Sequence, residues 1–130
     1  MKRFLLDTHV VLWLAISPDR IPSTVRAKLT EAEQLFVSPV SVYELAQKSR
    51  SGRLPQAEAV LARWGELLEL MVATELPMTG SDMLLAGTLS WKHRDPFDRL
   101  LVAQAQMYGL TVVSKDSAIH EYEGVECAEW

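Results

Sequence analysis

Residues 93–116, HRDPFDRLLVAQAQMYGLTVVSKD, read as loop, buried helix, tight stop, hydrophobic strand and acidic strand end. Asp95 and Pro96 open the helix, because an Asp N-cap followed by Pro at the first helical position is a favoured start. Asp98 falls in the first turn, where a carboxylate suits the positive end of the helix. From Phe97 to Tyr108 only Asp98, Arg99, Gln104 and Gln106 are clearly polar. A helix that is apolar nearly all round must be buried. Gly109 stops it, and residues 110–113 are an apolar, β-branched run suited to a strand inside a parallel sheet. Asp116 then lies just past the carboxyl end of that strand, the edge at which open α/β sheets bind ligands.

Residues 4–6 form a short apolar strand ended by Asp7-Thr8, and the dense apolar run that follows reads as a buried helix to about Ile16. After the turn Ser17-Pro18-Asp19, residues 22–33 are amphipathic. Residues 35–38 give a second strand, ended by Pro39. The next helix, over residues 41–52, carries Glu44 near its start. A further single amphipathic helix is predicted over residues 55–68, and a third strand over 71–74. Thr79 with Asp82 three residues on is a capping-box start for a helix to about Leu89. Residues 117–122 form a short helix, and residues 125–128 are expected as a last edge strand. Strands alternating with helices predict an α/β fold, a parallel β-sheet sandwiched between helices, as a single domain over residues 1–130.

With 130 residues and 48% hydrophobic composition the chain has enough length for a real core. One cysteine, Cys127, excludes a disulfide framework and a Cys-based zinc site. The net charge of −4 speaks against a general nucleic-acid-binding domain held by phosphate neutralisation. That exclusion weakens if several acids share a divalent cation, which makes their site cationic. Lys2 and Arg3 before FLLDTHVVLWLAI are reminiscent of a signal peptide, but Asp7 and His9 break the apolar run and no cleavage site follows before Pro18. No other segment approaches 18 apolar residues, so no membrane association and a cytoplasmic location are expected.

On this layout the carboxyl edge of the sheet collects Asp7, Glu44, Asp98 and Asp116. Each has an ordinary explanation taken singly. Asp7 and Asp116 can cap the helices that follow them, and Glu44 and Asp98 can favour a helix dipole. Capping accounts fully for Asp95 and Asp82. The coincidence of four acids on one edge, without four matching Lys or Arg, calls for more. Mutual repulsion makes such a cluster costly unless protons or a cation offset it. Oxygen ligands without cysteine suit Mg²⁺ or Mn²⁺, an ion that can hold phosphate oxygens, activate water and stabilise a leaving oxygen. The expected chemistry is phosphodiester hydrolysis.

LLDTHVVLWL, SVYELAQK, HRDPFDRLLVAQA and TVVSKD together resemble a PIN-domain ribonuclease, specifically the VapC toxins of prokaryotic type II toxin–antitoxin pairs. The resemblance runs from Phe4 to about Asp116, with the blocks in the family's order. It places the family's catalytic, metal-holding acids on Asp7, Glu44, Asp98 and Asp116, and a supporting hydroxyl on Ser114. It implies Mg²⁺- or Mn²⁺-dependent endoribonuclease activity, a homodimer, higher assembly with a cognate antitoxin, and inhibition by that antitoxin. Arg94, Arg99 and Lys115, next to site residues, are the candidates for holding RNA. His9 and Tyr43 flank site acids and are expected to pack or orient.

Two other readings use acids and Mg²⁺ on an α/β edge. A receiver domain would follow its first strand with a paired acid site, and a haloacid-dehalogenase-type phosphatase needs a second Asp two residues after its nucleophile. Asp7-Thr8-His9 supplies neither. A catalytically silent, protein-binding PIN-like module would be favoured by loss of a ligand, but all four acids are present.

Overall fold

A parallel sheet buried on both faces demands apolar side chains in both directions along each strand, and three of the four short strands here supply them, the exception being the largely exposed edge strand over residues 73–75. The computed structural model describes residues 2–130. In chain order it contains β1 (Arg3–Leu6), α1 (Thr8–Ile16), a 3-10 turn (Pro18–Arg20), α2 (Ser23–Thr30), β2 (Gln34–Val37), α3 (Pro39–Arg50), α4 (Ala57–Ala62), α5 (Trp64–Met71), β3 (Ala73–Glu75), α6 (Gly80–Thr88), α7 (Pro96–Tyr108), β4 (Thr111–Val113) and α8 (Ser117–Glu121). The four strands pair in parallel in the order β3-β2-β1-β4. Phe4, Leu6, Leu35, Val37 and Val113 face one core, with α1, α2 and α4. Leu5, Phe36 and Val112 face the other, with α6 and α7. The expected sandwich is therefore present. No helix among the described residues is long and apolar enough to cross a membrane.

Three local expectations change. The helix predicted over residues 55–68 is broken at Arg63, whose φ and ψ of −117° and 23° leave the helical region. The break lets α4 bury Ala57 and Val60, while the indole N–H of Trp64 donates to Glu75 of β3 at 3.1 Å. Residues 125–128 form no strand; they touch β4 through one bridge, Val112 to Cys127. Pro39, expected only to end β2, is also the first residue of α3, with Ser38 as the N-cap bonded from Val40 N–H.

The polar residues of the otherwise apolar α7 each have a defined use. Gln104 is fully buried, and its amide N–H donates to the carbonyls of Leu76 and Pro77 in the β3–α6 connection. Gln106 donates to Gly124 O near the C-terminus. Arg99 spends its guanidinium on four carbonyls, those of Ala86, Leu89, Trp91 and His93, at 2.7–3.0 Å. Those carbonyls belong to the end of α6 and the irregular segment after it, which have few backbone partners of their own. Arg99 is expected from the sequence to hold RNA; four of its five guanidinium N–H donors are bound to these carbonyls, which gives it a structural role.

Arg99 should therefore be a stability residue. Arg99→Met is expected to cost about 2–3 kcal/mol, the scale of losing charge-assisted bonds to buried acceptors, or roughly 6–15 °C in melting temperature. Arg99→Lys should recover little, since an ammonium cannot span the fork of acceptors. Thermal denaturation of both variants checks this; wild-type melting of Arg99→Met contradicts it.

Candidate functional site

The crevice that matters opens where the strand order reverses. β1 lies between β2 and β4, so chain segments leaving β1 and β4 diverge above the carboxyl edge, as at ligand-binding switch points in open α/β sheets. Asp7 follows β1 directly, with its N–H bonded to Val113 O at 2.9 Å. It caps α1, as its Oδ1 accepts from Thr8 N–H at 2.7 Å. Its Oδ2 accepts from the Ser114 hydroxyl at 2.6 Å. The same Ser114 oxygen accepts the Asp116 N–H at 2.9 Å. One fully buried serine thus ties the ends of β1 and β4 together. Asp116 in turn caps α8 through Ala118 N–H.

All four sequence-derived acids line one cleft of about 320 Å³, with Asp95 at its edge. Asp7, Glu44 and Asp98 are buried, at 5%, 8% and 8% exposure, although carboxylates are rarely buried without partners. Two of them have side-chain partners of opposite or titratable charge. Lys48 donates to Glu44 at 2.5 Å one helical turn on, and His93 shares a 2.6 Å hydrogen bond with Asp98. Ligand atoms of His93, Asp98 and Asp116 all lie within 4.8 Å of one another, close enough to hold one metal ion. Asp7 and Glu44 share the cleft but not that tight group. The donor set, carboxylates with one imidazole, fits a divalent cation.

Burial sets the electrostatics. It pushes Asp7 above the ordinary carboxylate range, against the lowering effects of His9, the Ser114 bond and the Thr8 bond. Asp98 is pushed up to about 7, again chiefly by burial, with the charges of Asp7, Asp95 and Asp116 adding to the rise and the His93 bond opposing it. Burial lowers His9. Its Nε2 accepts the Lys115 N–H at 2.9 Å, which leaves the proton on Nδ1, 3.5 Å from Asp7 Oδ2. His9 therefore stands beside Asp7 and bonds the backbone at Lys115. Tyr43 and Phe97, each one residue from a site acid, form a ring pair 5.8 Å apart outside the cleft. They line an apolar groove of about 540 Å³ with Val40, Met78, Met83 and Leu100. Arg94 and Lys115 are not among the residues lining the acid cleft, whereas Arg20 is.

A parallel α/β sandwich with a carboxylate-lined crevice at its switch point is the class these features define. The chain belongs to the PIN domain family, whose model matches residues 4–125. It is 29% identical over 122 residues to Ribonuclease VapC22 of Mycobacterium tuberculosis, with 94% of this chain and 93% of that protein covered. Its fold resembles DNA-bound VapBC from Salmonella typhimurium, with a TM-score of 0.71 at 16% identity over 98% of each chain. It also resembles FitAcB from Neisseria gonorrhoeae, with a TM-score of 0.69 at 23% identity over 97% of this chain and 96% of that one.

The raised Asp98 carboxyl makes a signed prediction for the metal-free protein. Its value moves from 3.8 to about 7, so between those values the folded state holds a proton that the unfolded state has lost. Its stabilising contribution is complete below pH 3.8 and is lost as pH rises through about 7. In EDTA, Asp98→Asn should therefore gain on wild type as pH rises from about 4 to 8, by about 1–2 kcal/mol after discounting for solvent screening in the open cleft that the carboxyl lines. Melting curves of both proteins across that range test it; a pH-independent difference contradicts the burial argument.

Proposed function

We propose that this PIN-domain chain is a divalent-metal-dependent endoribonuclease and the toxin of a toxin–antitoxin pair. The observation that carries the reading is the convergence of Asp7, Glu44, Asp98 and Asp116 on one cleft. The likeness to a ribonuclease over nearly the whole chain supports the choice of RNA as substrate. Asp98 and Asp116 would hold the ion together with Asp7, and His93 stands close enough to join or orient them. Bound there, Mg²⁺ or Mn²⁺ supplies charge to bind phosphate oxygens, a lowered pKa for attacking water and stabilisation of the leaving oxygen.

The chain's own residues position that chemistry. Ser114 fixes Asp7 and the backbone of Asp116. Lys48 holds Glu44 at the cleft wall. Asp7 also keeps Thr8, whose hydroxyl bonds Ser41 at 3.0 Å, locked against α3. Among the described residues no Ser or Cys stands in a recognisable activating triad, so the proposed reaction proceeds without a covalent enzyme intermediate. The products are 5′-phosphate and 3′-hydroxyl ends. Acting on cellular RNA, the protein works in the cytoplasm.

The antitoxin fits the same surface. A guanidinium from the inhibitor would pair bidentately with the carboxylates, while apolar residues cover the neighbouring groove, where Tyr43 and Met83 are 64% and 55% exposed. A homodimer belongs to this reading, and antitoxin binding builds the higher assembly from it.

Cleavage of end-labelled RNA with Mg²⁺ or Mn²⁺, and none in excess EDTA, is the direct test. Products ending in 2′,3′-cyclic phosphate, or full activity in EDTA, contradict the reading. Asp7→Asn should lower the rate about 100-fold or more, the scale of losing one electrostatic stabiliser. Asn caps a helix as well as Asp, so in EDTA the variant should melt at the wild-type temperature or roughly 2–5 °C higher as repulsion is relieved. A variant that melts lower and still cleaves makes Asp7 purely structural.

A further inference from the structure

With Arg99 committed to carbonyls and Lys48 to Glu44, the cleft still has cations to account for. Arg20 ends the 3-10 turn after α1, is exposed, and lines the same cleft as the four acids. Its guanidinium lies over the indole of Trp13, 4.2 Å from the ring centroid. Lys115 Nζ approaches the same ring at 5.8 Å. Among the described residues neither side chain has an ion-pair or hydrogen-bond partner, although Arg20 lines the cleft beside the carboxylates and Lys115 adjoins Asp116 in sequence. Trp13 is a rigid platform: it is 9% exposed and wedged between His9, at 4.9 Å between ring centroids, and Trp130, at 6.1 Å. His9 in turn accepts the backbone N–H of Lys115.

We propose that Arg20 and Lys115, gathered on the Trp13 indole at the rim of the acid cleft, form a clamp for the sugar–phosphate backbone of the RNA strand. This rests on the ribonuclease reading. An indole face attracts cations through its quadrupole and holds them without neutralising their charge. Such cations stay free to meet a phosphate, which a carboxylate partner would prevent. A guanidinium then offers its paired N–H donors to two phosphate oxygens. The clamp also answers the charge problem of an acidic protein that acts on a polyanion. In the proposed function Asp98, Asp116 and Asp7 face the metal, and the backbone is held from the α1 side of the cleft. Arg20 is the RNA-holding residue that sequence reasoning missed, because it lies far along the chain from every cleft acid except Asp7.

The competing role for Arg20 is simple screening of the acids, and one experiment separates the two. Anisotropy of a 5′-labelled, 20-nucleotide RNA of mixed sequence would be measured against salt, with Ca²⁺ replacing Mg²⁺ or Mn²⁺ and the strand checked intact by gel. Arg20→Ala should bind about tenfold more weakly, and its log–log salt slope should be shallower by about 0.7 for each phosphate it no longer neutralises. Arg20→Lys should keep the slope while losing part of the affinity, since the charge remains and the fork does not. Melting temperatures should stay within about 2 °C of wild type for an exposed substitution. If Arg20→Ala keeps wild-type affinity and slope but binds Mn²⁺ more tightly, Arg20 screens the acids and the clamp is wrong. If the wild type neither binds nor cuts RNA, the ribonuclease reading fails and the clamp with it.

Discussion

Parallel pairing of β1 with β4, Leu6 beside Val113, is the constraint from which the site follows. It sets Asp7 and Ser114 side by side one residue beyond the paired strands, and the serine hydroxyl then spans 2.6 Å to the carboxylate. Because the sheet is covered on both faces, neither group has ready access to water, and burial raises Asp7. The fold thus concentrates negative charge where its own desolvation makes that charge costly. Hydrogen bonds from Thr8, Ser114, His93 and Lys48 offset part of the cost. In the proposed function a divalent cation offsets the rest.

The second half of the site depends on α7. Its apolar body anchors the core against β1 and β4, so its first turn, with Asp98, is held over the crevice. Arg99 fixes the irregular chain before it, including His93 O. The carboxylate and its imidazole partner are therefore placed by the residue that follows Asp98 in sequence. Structure and chemistry share one helix turn here: Asp95 caps, Asp98 faces the cleft and Arg99 secures the loop.

Much of this was legible in the sequence because it is local. The Asp95-Pro96 start, the Gly109 stop at φ 65° and the Thr79–Asp82 capping box depend on adjacent residues. The four acids could be placed on one cleft because parallel topology fixes where strand ends lie. What escaped is non-local. The pairing of His93 with Asp98 and the four carbonyls around Arg99 depend on the path of an irregular segment without periodicity. Arg20 reaches the cleft only because the turn after α1 folds back on Trp13. The break at Arg63 reflects where tertiary partners lie, which the amphipathic pattern of residues 55–68 does not encode.

In the proposed function the crevice between β1 and β4 is a cation site built by the acids brought together at the carboxyl edge of the sheet. Anomalous diffraction from crystals equilibrated with Mn²⁺ tests it most directly. A Mn²⁺ peak is expected within coordinating distance of the Asp98 and Asp116 carboxylates, with Asp7 facing it. A crevice without a peak, or a peak held only by residues outside that cleft, would contradict the claim.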